Sequence, residues 1–410
     1  MSTPTPSASS PLLPLPLDQG VEVVERKGLG HPDTLADGIA ELASAHYSQY
    51  CLDAFGAVLH HNLDKVAVLG GRAAFTDTGG SYDRPLRVVF GGRISTSFEG
   101  RPIPVREILE RAAREQLQQA LPGFERVELQ IRHETTDSSK FPTWFAPRSL
   151  ADLPERPTAF SNDTALLVGT WPRTTAETLA LATEAWWRRC PWAGSDIKAL
   201  VVRRGGEFSV TSCVPALAGH LGSAAEFADV LTAEADALTA ELGKRLPGPV
   251  DVVVNTKGSR AEPLSSQYFT VSGSAVDFGE DGMVGRGNAR SGVISGAHGA
   301  GNEATFGKNP AYHVGKVGGW LADEAARAVG MRFGPCRVAL MWHNGSPYDQ
   351  PALLQTTTAD GTDQPEAIDL VRAVLARTDW VHDLVENARY LPRIEPLDGL
   401  LADLDRAPGA

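Results

Sequence analysis

Apolar positions along the chain follow two periods that alternate with each other. Runs that are alternating or continuously apolar predict strands at "DKVAVLGG", "PLRVVFGGRIS", "TALLVGTW", "DIKALVVRR", "EFSVTSCV" and "CRVALMW". Apolar residues at helical spacing predict helices near residues 103–121, 174–190, 223–242, 313–329 and 365–377. Strands come in pairs more often than singly between helices. This favours an α+β fold over a doubly wound parallel sheet.

The clearest helix follows two glycines in the stretch "KGLGHPDTLADGIAELASAHY". Its apolar face starts at Leu35 and its pattern ends at Gly56. His31, Pro32 and Asp33 occupy the opening turn, where free amide N–H groups and the helix dipole favour an anion. The glycines would let the backbone approach a ligand. The alternative is a capped helix in which Asp33 is an N-terminal charge and His31 a loop residue.

Composition narrows the function classes. The 410 residues carry 38 basic and 50 acidic side chains, a net charge of −12, which disfavours a general binder of nucleic acids or anionic membranes. The four cysteines are widely spaced and match neither a zinc pattern nor a disulfide framework. With no long apolar run and no signal-peptide pattern, we expect a cytoplasmic protein.

Breaks in composition divide the chain. Residues 1–18 are rich in Pro, Ser and Thr and predict a disordered tail. Polar, proline-containing breaks near "SLADLPERPTAF" and "GSRAEPLSS" predict boundaries between three α+β domains. The domains would cover residues 19–148, 149–265 and 266–396, and residues 397–410 would form an acidic tail, either packed on the surface or free.

A second chemically dense region, from 279 to 316, combines glycine-rich turns with basic side chains. Loops of this kind are expected where backbone amides and cations surround a polyphosphate. Surface turns with solvated charges are the alternative. Elsewhere, Asp163 precedes a predicted strand, where such residues are usually turn formers. His60 and His61 are adjacent in an extended segment, so they should point to opposite faces and not share a metal.

Five motifs in order give the chain a family resemblance. "VEVVERKGLGHPDTLADGIAE", "HHNLDKVAVLGGR", "SNDT", "GEDGMVGRGN" and "GKNPAYHVGK" resemble those of the archaeal-type S-adenosylmethionine synthetases, or methionine adenosyltransferases. The resemblance implies three intertwined α+β domains of similar topology in a pseudo-threefold arrangement, each a mainly antiparallel sheet with helices. It also implies a homodimer, and possibly a tetramer, with active sites at the subunit interface.

The implied reaction is attack of the sulfur of L-methionine on C5′ of ATP, followed by hydrolysis of the released tripolyphosphate to phosphate and diphosphate. Sulfur needs no general base, so alignment and charge stabilisation would dominate catalysis. By resemblance, His31, Arg286 and Lys308 are the catalytic residues and Asp33 holds Mg²⁺. The residues implied to bind substrate or nucleotide are Glu25, Asp137, Ser138, Asp163, Asp281 and Asn288. Glu25 also matches an acid near a monovalent-cation region, where K⁺ is possible.

Several stretches depart from the family pattern. "HETTDSSKF" replaces a glycine-containing nucleotide loop, "GRGNAR" moves an arginine to position 290, and "HGAG" with His298 replaces a basic segment. "LMWHNGSPYDQP" introduces Trp342 and His343, which would change the volume and hydrogen bonding of a substrate pocket. Altered preference for the nucleotide (GTP, CTP or UTP) or for a methionine analogue is therefore one alternative, and a non-catalytic nucleotide-binding regulatory paralogue is another.

Overall fold

A computed structural model describes residues 15, 20–76, 79–153, 158–296, 301–359 and 365–406. The predicted N-terminal tail lies almost entirely outside these residues. Within them, no helix combines the length and the apolar character needed to cross a membrane.

The elements of this α+β fold have the following bounds. The helices are α1 (Pro32–Phe55), α2 (Val105–Ala120), α3 (Pro142–Phe145), α4 (Thr175–Trp187), α5 (Ala224–Leu242), α6 (Val314–Phe333), α7 (Pro365–Leu375), α8 (Trp380–Val385) and α9 (Leu397–Asp405). The strands are β1 (Val21–Lys27), β2 (His61–Leu69), β3 (Arg72–Phe75), β4 (Gly80–Arg84), β5 (Leu86–Ile94), β6 (Ser97–Phe98), β7 (Arg101–Pro102), β8 (Leu129–His133), β9 (Ala165–Trp171), β10 (Lys198–Arg204), β11 (Glu207–Cys213), β12 (Ala216–Leu217), β13 (Val250–Val254), β14 (Phe269–Thr270), β15 (Gly282–Met283), β16 (Ile294–Ser295), β17 (Cys336–Trp342) and β18 (Leu353–Thr358). All five helices predicted by periodicity are present.

Three sheets, each covered by a helix pair, repeat one connection pattern. The first, β15-β2-β5-β8, is covered by α1 and α2; the second, β13-β11-β10-β1-β16, by α4 and α5; the third, β18-β17-β9, by α6 and α7. The first two units have the same order of elements: a helix, an antiparallel pair of strands, a second helix, and a last strand that is parallel to the second strand of the pair. The third unit ends at its second helix. Each unit has its own apolar core.

The three units exchange strands in a cycle. Strand β1 precedes α1 but pairs antiparallel with β10 of the second sheet. Strand β9 precedes α4 and pairs with β17 of the third sheet, while β15 precedes α6 and pairs with β2 of the first. Each predicted segment therefore gives a strand to another unit, and the third gives two, because β16 also pairs with β1 in the second sheet. This exchange intertwines the units, although the segment boundaries stay a prediction.

Residues 397–405, for which a packed and a free segment were both expected, form helix α9, which packs on the second unit. Its Leu400, Leu401 and Leu404 are buried in the second core, against α4. Arg245 Nη1 also contacts Asp405 Oδ2 at 2.6 Å. Three leucines on one face of a short helix bury enough apolar surface to fix it in place.

Candidate active site

His31 is the N-cap of α1. Its Nδ1 accepts a hydrogen bond from the Asp33 amide at 3.2 Å, and Pro32 fills the first helical position. Burial, and then the Lys27 ammonium, lower the pKa of His31 to about 4, so the ring is neutral at pH 7. Because Nδ1 is the acceptor, the proton resides on Nε2, which is left as a hydrogen-bond donor.

The Asp33 carboxylate joins the opening turn of α1 to two other segments. Oδ2 contacts Lys27 Nζ at 2.9 Å, and Oδ1 accepts the Met283 amide at 3.0 Å. Burial alone would raise the pKa of Asp33, but these donors outweigh it and the pKa lies below its usual value. Asp33 is therefore an anion at neutral pH, next to an ammonium group.

The "GRGN" loop is fastened to the strand that precedes α1. Asn288 binds the backbone of Lys27 on both sides, accepting its N–H at 3.0 Å and donating to its carbonyl at 2.7 Å. Lys27 Nζ donates to the Arg286 carbonyl at 2.6 Å. Asp37, one turn after Asp33, accepts the Gly285 amide at 2.7 Å. The Arg286 side chain is exposed, and its guanidinium has no hydrogen bond or ion pair within the described ranges.

Glycine allows this loop to approach α1 closely. A Cβ added at Gly282 would lie 1.9 Å from the Pro32 carbonyl oxygen, and one at Gly287 would lie 2.0 Å from Asp37 Oδ2. We expected Gly28 and Gly30 to let the backbone approach a ligand, but they contact another segment of the protein. They pack on the 195–197 segment, to which both donate backbone hydrogen bonds.

Two more of the residues that were predicted to bind substrate or nucleotide lie on the segments around the start of α1. Glu25 is on β1 and contacts Lys198 Nζ at 2.8 Å. Asp281 is exposed and accepts the Gly70 amide through Oδ1 at 2.8 Å. Electrostatic contributions from Glu25 and Lys198 act on His31, which ties this part of β1 and β10 to the same site. We call these residues around the start of α1 the α1 group.

A second group is built at the start of α6, and we call it the α6 group. His313 caps α6 as His31 caps α1, with Nδ1 accepting the Gly315 amide at 3.2 Å. Burial, and then the neighbouring Lys308, lower the pKa of His313 to about 3. Lys308 is buried and forms ion pairs with Asp64, at 3.2 Å, and with Glu303.

Motifs distant in sequence meet at the α6 group. Asn162, from the "SNDT" motif, accepts the Val314 amide at 2.9 Å. Asp163 is exposed beside it and accepts the Thr164 amide, a turn contact like the one its sequence position suggested. Asp64 comes from the motif that begins at His60. The structure thus brings the second, third and fifth motifs to α6, and the first and fourth to α1.

A buried ion pair connects the two groups through α1. Glu41 binds Lys316 Nζ with both carboxylate oxygens, at 2.9 and 2.8 Å, and also accepts the Gly307 amide. Both side chains are almost fully buried. Eight residues of helix separate Asp33 from Glu41, or about 12 Å of rise. The α1 and α6 groups therefore lie along one helix but do not coincide.

The remaining predicted residues occupy diverse positions. Asp137 and Ser138 are exposed on the loop after β8, and Asp137 Oδ2 accepts the Thr96 hydroxyl at 3.2 Å. Arg290 does not serve a phosphate, because it is buried and paired with Asp323 at 2.9 Å. His298 lies outside the described residues.

Trp342 does not match the pocket-lining role that we expected. Its indole is fully buried in the third core, its Nε1 donates to the Tyr348 carbonyl at 3.1 Å, and its ring lies against Gly318. No part of the side chain is left for a substrate. His343 is exposed in the turn that follows.

Three positioning contacts were not foreseen from sequence: Lys27, Asp37 and the Glu41–Lys316 pair. Asp37 and Glu41 follow Asp33 at intervals of four, which places all three acids on one helix face, and this spacing was the available signal. Among the described residues, no group of three or more His, Cys, Asp or Glu side chains has the geometry to hold a metal ion. An ion that arrives with a phosphate ligand needs only one or two protein carboxylates, and the ionised Asp33 is compatible with that requirement.

Comparisons with known proteins agree with the motifs. The family model for S-adenosylmethionine synthetase (AdoMet synthetase) matches residues 14–386. An S-adenosylmethionine synthase of Aeropyrum pernix is 32% identical over 378 residues, which cover 86% of this chain and 90% of that protein. An uncharacterised protein of Streptococcus pyogenes serotype M3 is 34% identical over 396 residues, 92% and 96% of the two chains. The structure of an unusual S-adenosylmethionine synthetase from Campylobacter jejuni shares the fold, with a TM-score of 0.58 at 13% identity over 94% of this chain and 99% of that one.

Proposed function

This chain belongs to the S-adenosylmethionine synthetase family, and on that premise we propose that it transfers the adenosyl group of ATP to the sulfur of L-methionine. Tripolyphosphate would leave as a unit and be hydrolysed to phosphate and diphosphate. The observation that carries the proposal is the pair of histidine-capped helix starts, where Lys27 joins Asp33 to the Arg286 carbonyl at α1 and Lys308 lies next to His313 at α6. Both are positions where backbone amides and cations suit a polyphosphate.

The chemistry requires positioning more than proton transfer. Methionine sulfur is already nucleophilic, so the barrier depends on its alignment with C5′ and on the charge of the leaving tripolyphosphate. Neutral His31 would donate its Nε2–H to the leaving oxygen or the adjacent phosphate. Arg286, whose guanidinium is exposed, and Lys308 would neutralise the phosphate oxygens. A neutral donor suits this task, because its action does not depend on a proton being available near pH 7.

The cations of the proposal are those that the family generally uses. Magnesium would be held by Asp33 and by phosphate oxygens, and when bound it would share the charge of the leaving group. Lys27, which now contacts Asp33, would then be released toward the phosphates. For potassium the candidate acid is Glu25, and an ion there would have to replace the Lys198 ammonium. All four cysteines are free, which suits the cytoplasm.

The active site of the proposal is shared between two chains. Of the three proposed catalytic residues, His31 and Arg286 belong to the α1 group and Lys308 belongs to the α6 group, and the two groups lie at different places along α1. In a twofold dimer, the α1 group of one chain can face the α6 group of its partner, which gives two equivalent composite sites. We propose this homodimer as the active form, with ATP and methionine bound between the chains.

The proposal is tested by an end-point assay read by mass spectrometry. The protein receives methionine, magnesium and potassium with ATP, GTP, CTP or UTP in separate reactions. A sulfonium product of S-adenosylmethionine mass that forms fastest from ATP is the expected result. Faster product from another nucleotide would replace ATP in the proposal. No product in any reaction, together with no phosphate release from tripolyphosphate, would overturn it in favour of a non-catalytic nucleotide binder.

A further inference from the structure

A cavity of about 220 Å³ lies where the three units meet. Its walls include Thr34 of α1 in the first unit, Leu181 of α4 in the second, and Tyr390, which belongs to the third core. Pockets for drug-sized ligands begin at about 300 Å³, so this cavity is too small for a nucleotide. It suits a smaller ligand and is separate from the proposed site for ATP.

Arginine side chains dominate the lining of the cavity. Among the described residues, two acids line it, Asp37 and Glu395, against five arginines: Arg26, Arg173, Arg290, Arg389 and Arg393. Carboxylates hold four of these arginines in place: Arg26 is held by Glu184 at 2.6 Å, Arg173 by Glu395 at 2.7 Å, Arg290 by Asp323 at 2.9 Å and Arg389 by Glu324 at 3.2 Å. The four pairs therefore give the cavity a fixed frame of guanidinium groups.

Arg393 supplies positive charge that no ion pair compensates within the described ranges. Its side chain is exposed, and its Nη2 donates to the Asn387 carbonyl at 3.0 Å. Its own carbonyl oxygen lies 3.4 Å from Arg26 Nη2, which attaches the backbone of Arg393 to the inner wall. A guanidinium binds a carboxylate through two parallel N–H bonds. An uncompensated one at the solvent side of a cavity therefore attracts such an anion.

Asp37 places a polar atom without a partner at the inner wall. Its side chain is 1% exposed; Oδ1 accepts the Gly285 amide at 2.7 Å, and Oδ2 forms no hydrogen bond within the described ranges. Burial raises the pKa of Asp37 well above its usual range and so favours the neutral acid, which carries a proton on Oδ2. A buried donor without an acceptor is costly, and an anion in the cavity would satisfy it.

Carbon surface in the lining distinguishes an organic anion from an inorganic one. Four side chains supply this surface: Leu181, Phe306, Leu391 and Pro392. An inorganic oxyanion would leave it uncovered, whereas a short carbon chain between two acidic groups would cover it and remove apolar area from water. The lining therefore favours an organic acid.

We propose that this cavity is a binding site for a short-chain dicarboxylate. One carboxylate contacts Arg393 at the solvent side, and the other accepts a hydrogen bond from Asp37 at the inner wall. Asn288, which fastens the "GRGN" loop to Lys27, also lines the cavity, so the ligand contacts the loop that carries Arg286. Binding at this site requires no turnover and does not rest on the proposed function.

Calorimetric titration of the full-length protein with succinate tests the site. We expect saturable binding, no binding of the neutral analogue succinamide, and an unchanged Kd for succinate in the presence of tripolyphosphate. Arg393→Gln removes the uncompensated cation and should raise the Kd for succinate about tenfold or more. Arg393→Lys keeps the charge but loses the paired N–H bonds, so its Kd should lie between the two. Arg114→Gln is the matched control and should leave the Kd unchanged, because Arg114 is exposed on α2 and the variant loses the same charge.

Four outcomes would overturn the proposal. They are no saturable heat with succinate, an unchanged Kd in Arg393→Gln, an equal rise of the Kd in Arg393→Gln and Arg114→Gln, and displacement of succinate by tripolyphosphate, which would place it in the polyphosphate site. Inorganic phosphate that binds as tightly as succinate would overturn the choice of an organic acid. Because every measurement is of binding, a protein that forms no sulfonium product but binds succinate would count against the proposed function alone.

Discussion

Two arginines in the "GRGNAR" stretch have opposite roles, which the sequence alone does not separate. Arg286 is exposed and held only through its backbone, whereas Arg290 is buried and donates to Asp323 and to the Val168 carbonyl. Under the proposed function, the exposed Arg286 would face the polyphosphate and stabilise the transition state. A buried cation that joins two segments contributes to the fold.

Arg286→Ala should lower kcat by about a hundredfold or more, with an unchanged thermal midpoint. Arg290→Ala should lower the free energy of unfolding by about 3 kcal/mol, because it removes the buried guanidinium that pairs with Asp323 and leaves that carboxylate with the Tyr390 hydroxyl. Steady-state kinetics and thermal unfolding of both variants check the assignment. Equal losses of stability in the two variants would contradict it.

Asp196 gives the protein a stability term that depends on pH. Burial raises its pKa to about 7, and Oδ2 accepts the Ala275 amide at 2.9 Å. The folded state therefore keeps a proton that the unfolded chain releases near pH 4, and this contribution to stability is lost as pH rises from about 4 to 7. Asp196→Asn keeps an acceptor but has no proton to lose.

The Tm of Asp196→Asn relative to wild type should therefore rise by a few degrees between pH 5 and pH 8. Thermal unfolding at the two pH values measures it. A Tm difference that stays constant with pH would show that Asp196 is ionised in the folded protein at both values.

At the scale of elements, the contact between α1 and the "GRGN" loop determines where Arg286 lies. Gly282→Ala would place a Cβ 1.9 Å from the Pro32 carbonyl oxygen, so the loop must move away from the start of α1. A displacement of about 1 Å in a positioning contact can cost about a hundredfold in kcat.

Gly296→Ala is the control for this variant, since no atom lies within 4 Å of its added Cβ. We expect a large loss of kcat in Gly282→Ala and wild-type kinetics in the control. If Gly282→Ala keeps its kcat, the loop does not need this contact to position Arg286.

Helix α9 should contribute to stability and not to the reaction. A chain that ends at Pro396 lacks the leucines that complete the second core, and its free energy of unfolding should fall by about 5 kcal/mol. A chain that ends at Arg406 should unfold like the wild type. Chemical denaturation compares the two, and equal midpoints would show that α9 does not stabilise the fold.

The local hydrophobic pattern predicts most of the helices and strands, but it does not predict which elements pair or pack with each other. The helix from Pro32 and its end at Gly56, which has a φ of 71°, follow from spacing and from the glycine. The pairing of β1 with residues 198–204 does not follow from the local pattern, because the two strands are far apart in the sequence. Trp342 shows the same limit: a large residue at the end of a strand suits a pocket or a core equally, and only its contact with Gly318 decides.

At the scale of the molecule, composite sites predict that inactive chains can complement each other. Arg286→Ala damages the α1 group and Lys308→Met damages the α6 group, so each variant alone should be inactive. In a mixed dimer, one site carries both changes and the other carries neither. Random mixing after subunit exchange should then restore about a quarter of wild-type activity.

Mixing measures this directly, with variants unfolded and refolded together or coexpressed. Separately refolded variants that are combined only in the assay are the control and should stay inactive if exchange is slow. Absence of any recovery, with mixed dimers verified by mass, would place the α1 and α6 groups of one chain in the same site.

The cyclic exchange of strands also affects the order in which the protein can be completed during synthesis. The first sheet contains β2, β5 and β8, all made within the first third of the chain, but its outer strand β15 contains residues 282 and 283. Until that segment has left the ribosome, β2 has a free edge, where unpaired N–H and C=O groups can capture another strand. The nascent chain therefore has its most vulnerable interval in the middle of translation, and its protection by chaperones should be needed there.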